Sequence, residues 1–508
     1  MTSNLAKPAE SAITLIECLL GHAARRPEDL AIYEPGAQGD ANGLCWAELG
    51  QAAQGIARHL ATHFQGYSVI IALSNSTETQ IALLGALWSG AQILPVSPLT
   101  PESELIRQSR KLGKSLLVAD SILADSLSHS FPCRLTSEAI AAGEFASDSD
   151  YPDKSLQSSI LLQSSGTTGQ PKLVCRGMRS LLITGKSLVR SIHLVPADRV
   201  LINIPLCHSY GIDMGLLAAT VAGSELELHS RYSPGATRSA LSEGRITVWP
   251  GVPLMFDTIS RSMKAPAVHR LRSAISAGSP LPLRVYAQFL EGFKTQIGQL
   301  YGASEFGSAF YNSPELSPFD PAAVGHPLDG VDVKITSIRD SEESERAEVS
   351  LPAGAEGEIA IRAPTMMSHY IDAAGGPDSN GFLQTGDIGS VDERGILRIS
   401  GRVKLLIDVG AQKVNPLEVE SVFCQHPSVS EAVVLALPFS DTADRLKALV
   451  LPRPGTNVNI GELRDYLRGC LIPYKVPRII EIRSDFPRSA TGKILREVLQ
   501  SEVTKVTS

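Results

Sequence analysis

Apolar and polar positions along this chain fall into two alternating patterns. Ser68–Leu73 is a short run rich in Val and Ile, which predicts a buried strand. In Ser76–Leu87, Ile81, Leu84 and Leu87 recur at helical spacing, and Gln92–Val96 returns to a strand-like run. The alternation continues with predicted strands at Ser115–Ala119, Ser159–Leu162, Val200–Ile204, Glu225–Leu228, Ile246–Trp249, Ser273–Ser276 and Gln296–Leu300. Strands alternating with helices predict an α/β fold with largely parallel sheets flanked by helices. Ligands of such folds sit beyond the carboxyl ends of strands, so the loops after these runs are where chemistry is expected.

Farther along, Val331–Ile335 and Glu358–Ile361 read as strands around a charge-rich stretch, Arg339–Glu348, which is expected to be a solvated turn. The pattern changes near Gly401. Val403–Ser508 has the size of a small domain, with strand-like Ala432–Leu437 and Leu446–Leu451 and helical patterns at Pro416–Cys424 and Ile460–Arg468. The expected division is a large N-terminal domain of mixed or parallel sheets, residues 1–401, and a small α+β domain, residues 402–508. The boundary falls at Arg402–Lys404.

Length and composition narrow the function classes. With 508 residues the chain needs two or more folding units. Its net charge of −7 comes with no Lys/Arg block, so nothing points to nucleic acid or to stable membrane insertion. An anionic ligand would have to be met by locally gathered positive potential. The seven cysteines are dispersed, as expected for reduced thiols in a cytoplasmic protein. Glu10 and Glu17 beside and inside the first apolar stretch make a poor signal peptide. No apolar run approaches the roughly 20 residues that span a bilayer.

The strongest local signal is Ser164-Ser165-Gly166-Thr167-Thr168-Gly169-Gln170-Pro171-Lys172, directly after a predicted strand. Glycines let backbone N–H groups approach a phosphate, hydroxyl side chains add donors, and Lys172 adds a cation. By composition alone the stretch could equally be a flexible linker. The strand before it and the Pro-Lys after it favour a shaped loop.

This loop resembles the phosphate-binding signature of the adenylate-forming superfamily, which includes acyl- and aryl-CoA ligases, peptide-synthetase adenylation domains and luciferases. Further motifs follow in the family's order: Pro205-Leu206-Cys207-His208-Ser209-Tyr210-Gly211, Ser276-Ala277-Gly278-Ser279-Pro280-Leu281 and Tyr301-Gly302-Ala303-Ser304-Glu305. Thr385-Gly386-Asp387, Gly401-Arg402-Val403-Lys404, Lys413-Val414-Asn415-Pro416 and Pro487-Arg488-Ser489-Ala490-Thr491-Gly492-Lys493 complete the set. Together the motifs cover nearly the whole chain.

The resemblance implies an enzyme that activates a small carboxylic acid with ATP and Mg²⁺ as acyl-AMP, then passes the acyl group to the thiol of coenzyme A. Loading of a carrier protein's phosphopantetheine is the alternative, since both acceptors present the same arm. An inactive nucleotide-binding homologue is a third reading, which the presence of Lys493 and Glu305 disfavours. ATP would be held by Ser165, Gly166, Thr167, Thr168, Gly169, Lys172, Gly278, Ser279, Tyr301, Gly302, Ala303, Ser304, Asp387 and Arg402. Glu305 and Thr168 would serve the metal, because Mg²⁺ favours one or two hard protein oxygens plus substrate phosphates. Asp387 would accept hydrogen bonds from the ribose hydroxyls. Lys493 would bridge carboxylate and α-phosphate, stabilising charge as it develops. His208 would lie near the acyl carbonyl. Tyr210, Trp249, Gly278 and Gly302 would wall the acyl pocket, although Trp249 fits plain core equally well by composition. The small domain would be mobile about Lys404, and Gly410, Ala411 and Lys413 would border a thiol channel.

The chain departs from the family pattern at Leu173, Ala277 and Ala411, where glycine is common. A methyl at Ala411 is expected to narrow the thiol channel slightly. The segments Tyr210–Leu217, Trp249–Phe256 and Ser276–Leu281 contain no Lys or Arg. A second carboxylate on the substrate is therefore disfavoured, and an aromatic or medium apolar acid is expected.

Overall fold

The computed structural model describes residues 14–36, 41–145, 151–164, 172–262, 269–316, 319–338, 350–409, 413–440, 443–489 and 492–507. The Val-Ile run becomes strand Ser68–Ala72, buried at every position, as suits a strand covered on both faces. The following helix, Thr77–Ser89, starts where the Ser76 side chain accepts from Thr79 N–H and ends at Gly90 in the left-handed conformation. It is buried all round instead of along one stripe. A Cβ on its Gly85 would lie 2.6 Å from the Ile56 side chain, so the helix packs closely on the preceding helix, Trp46–His63.

Among the described residues, seven strands form one sheet. Its order runs His369–Tyr370, Leu173–Gly177, Ser159–Gln163, Gln92–Pro95, Ser68–Ala72, Ser115–Ala119, Arg134–Thr136. A second sheet of nine strands has a parallel centre: Ile297–Ala303, Ser273–Ser276, Val248–Gly251, Arg199–Ile202, Glu225–Leu228 and Leu30–Pro35. One continuous core takes side chains from both sheets, including Val69, Val174, Val200 and Ile275. Ile70, Leu94, Leu117 and Cys175 pack on the other face of the first sheet against Leu105 and Phe131.

The expectation of largely parallel sheets holds for these centres and fails elsewhere. Leu173–Gly177 runs antiparallel to Ser159–Gln163, so the chain reverses through the Ser164–Lys172 loop. Gly307–Asn312 likewise runs back along Ile297–Ala303. A third sheet, Asp332–Thr336, Gly357–Arg362, Leu383–Val391 and Leu397–Arg402, is antiparallel throughout. The strand predicted at Gln296–Leu300 extends to Ala303, so Tyr301, Gly302 and Ala303 lie on a strand end. Arg339–Glu348 lies outside the described residues.

A second body of core begins at Ile407 and gathers Val414, Val419, Phe423, Val434, Ala448, Leu463 and Leu467. In its sheet the two expected strands appear as Val429–Ser440 and Ala443–Pro452, joined by an unexpected third, Ile479–Ile482. The two expected helices appear as Pro416–Gln425 and Ile460–Cys470. Beneath the sheet Glu420 accepts from Val434 N–H at 2.6 Å and pairs with Arg496, which ties the last helix to this core.

Trp249 needs correction. It is fully buried, its ring centroid 4.6 Å from that of Phe256 and 6.2 Å from that of Phe289, with Nε1 donating to Asn203 at 3.3 Å. Side chains alternate across a strand, and Trp249 takes the face covered by helices Pro253–Ser262 and Leu283–Phe293. It is therefore core, not pocket wall. Trp249→Ala is expected to cost about 3–5 kcal/mol, the range for large aromatic truncations in a packed core. Denaturant unfolding measures this, and a loss near zero would mean that the ring is not packed as described.

Candidate functional site

The sequence motifs converge at the carboxyl ends of strands in the two large sheets, as the α/β reading requires. Ser164 N–H donates to Lys172 O at 2.9 Å, which pins the two ends of the glycine-rich loop together. Ser165, Gly166, Thr167, Thr168 and Gly169 lie outside the described residues. Ser304 Oγ, on the turn joining Ile297–Ala303 to Gly307–Asn312 of the nine-stranded sheet, sits 3.5 Å from Gln163 O at the start of that loop. This contact joins the two sheets at the site.

Two rows of side chains organise the described part. In the first, the Lys172 ammonium lies 4.7 Å from the centroid of the Tyr370 ring, and the Tyr370 hydroxyl donates to Glu305 Oε1 at 3.3 Å. Glu305 is fixed from behind, since its carbonyl accepts from Met367 N–H at 2.7 Å. Burial and the adjacent Glu305 carboxylate push the Tyr370 phenol well above its ordinary pKa, so it remains a donor. Tyr370 was missed at the sequence level. It occupies a strand of two residues, His369–Tyr370, brought to Lys172 by antiparallel pairing with Val174 and Cys175, far away in sequence.

In the second row, Asp387 accepts from Tyr301 Oη at 2.7 Å and from Arg402 Nε at 2.6 Å. Asp387 and Arg402 are direct partners across the Leu383–Val391 and Leu397–Arg402 ladder. Gly386, in the left-handed conformation at φ +72°, supplies the bend just before Asp387. The two Asp387 oxygens are thus each held by a protein donor. A carboxylate has about four lone-pair positions, so acceptor capacity remains for a ligand hydroxyl. Burial and Asp387 hold the Tyr301 phenol protonated.

Lys493 arrives from the second body of core. Gly492, at φ +79°, turns the backbone, and a Cβ there would lie 2.5 Å from Leu254 Cδ2 on helix Pro253–Ser262. Ser489 braces the turn, accepting from Lys493 N–H through Oγ at 3.2 Å. The ammonium is open to solvent yet walled by protein. Partial desolvation and the Arg402 charge lower its pKa, while Asp387 opposes them.

His208 opens the segment that becomes helical at Ser209, and desolvation lowers its ring pKa, which favours the neutral imidazole. Gly211 is obligatory here, because a Cβ would lie 2.1 Å from Pro205 O. The Tyr210 hydroxyl donates to Ile275 O at 2.8 Å, so the ring reaches across to the nine-stranded sheet. Gly278, at φ +86°, and Ser279 are exposed just past strand Ser273–Ser276. Gly302 is exposed at its strand end, and a Cβ on it would lie 2.3 Å from Gly307 O.

Lys404 lies exposed on the turn Val403–Leu405, and Lys413 on the short strand Lys413–Val414. Gly410 and Ala411 fall outside the described residues, as therefore does the expected narrowing. A cavity of about 550 Å³ bordered by Arg272, Lys294 and Tyr311 is separate from this site, near the amino ends of Ser273–Ser276 and Ile297–Ala303.

The described residues hold no cluster of three or more His, Cys, Asp or Glu that could keep a resident metal ion. A single carboxylate beside Lys172 fits a cation that arrives with phosphates. No described helix is long and apolar enough to cross a membrane.

Comparison with known proteins accords with this arrangement. Residues 20–371 match the AMP-binding enzyme family, and residues 418–493 match its C-terminal domain. A long-chain-fatty-acid–CoA ligase of Bacillus subtilis is 26% identical, with 97% of this chain and 95% of that protein covered. The o-succinylbenzoate CoA synthetase of Bacillus subtilis, solved with its acyl-adenylate intermediate, superposes with a TM-score of 0.82 at 26% identity, covering 95% of this chain and 97% of that one. ATP-bound MatB from Rhodopseudomonas palustris shares the fold at a TM-score of 0.88 and 24% identity, covering 98% of this chain and all of that one, 100%. With both domains matched in order, and with the loop ends, the Glu305 row, the Asp387 row and Lys493 gathered in one cleft, this chain is a member of the AMP-binding enzyme family.

Proposed function

We propose that this enzyme joins a small carboxylic acid to coenzyme A through an acyl-adenylate, with ATP consumed to AMP and pyrophosphate. The observation that carries the reading is the seating of the Lys493 turn against Leu254, with the ammonium within electrostatic reach of Asp387 and Arg402. A free carboxylate repels nucleophiles, and two anions must be held together before it can be activated. Lys172, Arg402 and Lys493 supply the positive potential that a chain of net charge −7 lacks overall.

In the first half-reaction a carboxylate oxygen attacks the α-phosphorus. The bond from that phosphorus to pyrophosphate breaks, and pyrophosphate leaves with the electron pair. Lys493 neutralises charge between acid and α-phosphate, Asp387 accepts from the ribose, and Lys172 with the 165–171 loop holds the outer phosphates. Glu305 would hold Mg²⁺, which screens the phosphate charge when bound. In the second half-reaction a thiol sulfur attacks the acyl carbonyl carbon, the bond to AMP breaks, and the thiol proton leaves to a base. His208, neutral and at the mouth of the segment carrying Tyr210, is suited to orient that step.

Residues 402–508 act as the mobile lobe in this reading. Support comes from Lys404, exposed on a single turn between the last strand of the third sheet and the first residue of the second core, Ile407. Such element-terminal turns absorb backbone rotation.

Pyrophosphate release over a panel of acids, each run alone, with coenzyme A and with a phosphopantetheinylated carrier protein, tests the function. Release that multiplies with coenzyme A for one acid class is the expected result; stimulation by carrier protein alone would move the acceptor. Lys493→Ala should lower adenylation on the order of 10²–10³-fold, while thiolysis of supplied acyl-adenylate falls much less. Because the Lys493 pKa is lowered, its charge is lost as pH rises through a value below the ordinary lysine range. The alkaline limb of kcat/KM for ATP should begin there, and Lys493→Arg should remove it.

Tyr370→Phe keeps the ring under Lys172 and removes the hydroxyl from Glu305. It should raise the Mg²⁺ needed for tight ATP binding in calorimetry. Tyr370→Leu should weaken ATP binding by a further factor of about two to ten, the range of one cation–π contact. Identical Mg²⁺ dependence in wild type and Tyr370→Phe would sink the role given to the hydroxyl.

A further inference from the structure

The motif Lys413-Val414-Asn415-Pro416 has no part in the chemistry above, yet its asparagine links the two bodies of core. Asn415 lies beyond the turn Val403–Leu405, at the cap of helix Pro416–Gln425. Its Oδ1 accepts from Leu417 N–H at 3.1 Å, the usual work of a helix cap. Its Nδ2 donates back across the turn, to Ser400 O at 2.8 Å. The two partners fix which way the amide faces, oxygen to an N–H and nitrogen to a carbonyl. Ser400 and Gly401 belong to Leu397–Arg402, the edge strand of the third sheet. Gly401 is buried there, and a Cβ on it would lie 2.4 Å from Asn415 Nδ2. The contact therefore needs a bare backbone on the strand and a short amide on the helix.

From Asn415 to Lys493 the connection is stiff. Helix Pro416–Gln425 sends Val419 and Phe423 into the second core. Glu420 on the same helix pairs with Arg496, three residues beyond Lys493. Just before the lysine, Arg488 donates to Gly492 O at 3.1 Å and to the two oxygens of Glu431 at 2.8 and 2.9 Å. Lys493 thus moves with the helix that Asn415 caps. Rotation about Val403–Leu405 would leave the bond from Leu417 to Asn415 intact, because both residues lie on one side of the turn. It would carry Asn415 away from Ser400, because that bond spans the turn.

We propose that Asn415 is a positioning residue, whose hydrogen bond to Ser400 O holds the second core in the orientation that sets Lys493 in the cleft. The bond favours adenylation and is given up when the lobe turns for thiol attack. Its consequence for the reaction rests on the acyl-adenylate reading and on the mobile lobe described above. Losing the bond changes the share of molecules with Lys493 seated, and leaves the phosphate and ribose contacts of the large domain as they are.

Asn415→Asp separates the two bonds of this side chain. Asp caps a helix as well as Asn does, but its carboxylate has no proton for Ser400 O. Asn415→Ser also keeps a cap and is too short to span both partners. Gly401→Ala breaks the same contact from the strand side. Two rates are measured for each variant: the burst of pyrophosphate release without thiol, and thiolysis of supplied acyl-adenylate. In Asn415→Asp the ratio of adenylation to thiolysis should fall about two- to tenfold, the range of one net hydrogen bond, with ATP affinity unchanged. Gly401→Ala should move the ratio the same way, and combining it with Asn415→Asp should add little, since both remove one contact. A merely structural role would lower both rates together. That result, or an unchanged ratio, overturns the proposal and leaves the acyl-adenylate reading standing. Should no acid release pyrophosphate from wild type, that reading falls, and labelling of Lys493 with an amine reagent across pH decides whether Asn415 seats the turn. In wild type Lys493 should titrate below an ordinary lysine; in Asn415→Asp its titration should rise, as burial and the Arg402 charge are relieved together. Identical titrations overturn the proposal. If Gly401→Ala does not fold, Asn415→Asp and Asn415→Ser decide.

Discussion

One buried carboxylate ties three parts of this protein together. Asp387 sits on the antiparallel third sheet, receives Tyr301 from the end of a strand in the nine-stranded sheet, and receives Arg402 from the last strand before the second core. A carboxylate buried without donors would be costly, so its position constrains both neighbours as much as they constrain it. The Tyr301 ring is thereby held at the rim of the cleft. Arg402 is held extended at the point where the chain leaves one core for the other.

That constraint also sets the electrostatics. Glu305 and Asp387 each face a cation, Lys172 by way of the Tyr370 ring and Arg402 directly. Lys493 comes last, on a glycine turn that fits only because Gly492 lacks a side chain against Leu254. Three cations and two carboxylates in a cleft walled by protein create a potential suited to phosphates, and low local polarity strengthens each contact. The ammonium of Lys493 has no acid of its own in hydrogen-bonding reach among the described residues, which leaves its charge available to a ligand.

Around Gly211 and Gly302 the packing follows a different principle. Backbone approaches at both glycines are so close that a Cβ is excluded. Nearby the core is polar, through Arg176, Asp213, Thr184 and Ser308, instead of apolar. Polar clusters of this kind specify geometry at the expense of stability. The Trp249, Phe256 and Phe289 cluster supplies apolar packing on the helix-covered side of the same sheet.

Much of this was legible in the linear sequence, for a physical reason. Strand and helix periods are local, so Ser68–Ala72, Thr77–Ser89, Ser273–Ser276 and the elements of the second core followed from short stretches of residues. The Ser164–Lys172 stretch, Asp387 and Lys493 belong to contiguous motifs, legible from neighbours in the chain. Pairing across sheets is not local, and the sequence was silent there. The reversal of Leu173–Gly177 sends Arg176 into the large core and lays Tyr370 beside Lys172. The face on which Trp249 falls depends on which helices cover its strand. The sequence by itself determined the α/β class, the strands and helices of both cores and the family to which the chain belongs. Only the tertiary structure decided which buried polar groups share a wall, because burial and partnership arise when strands far apart in sequence are brought into register.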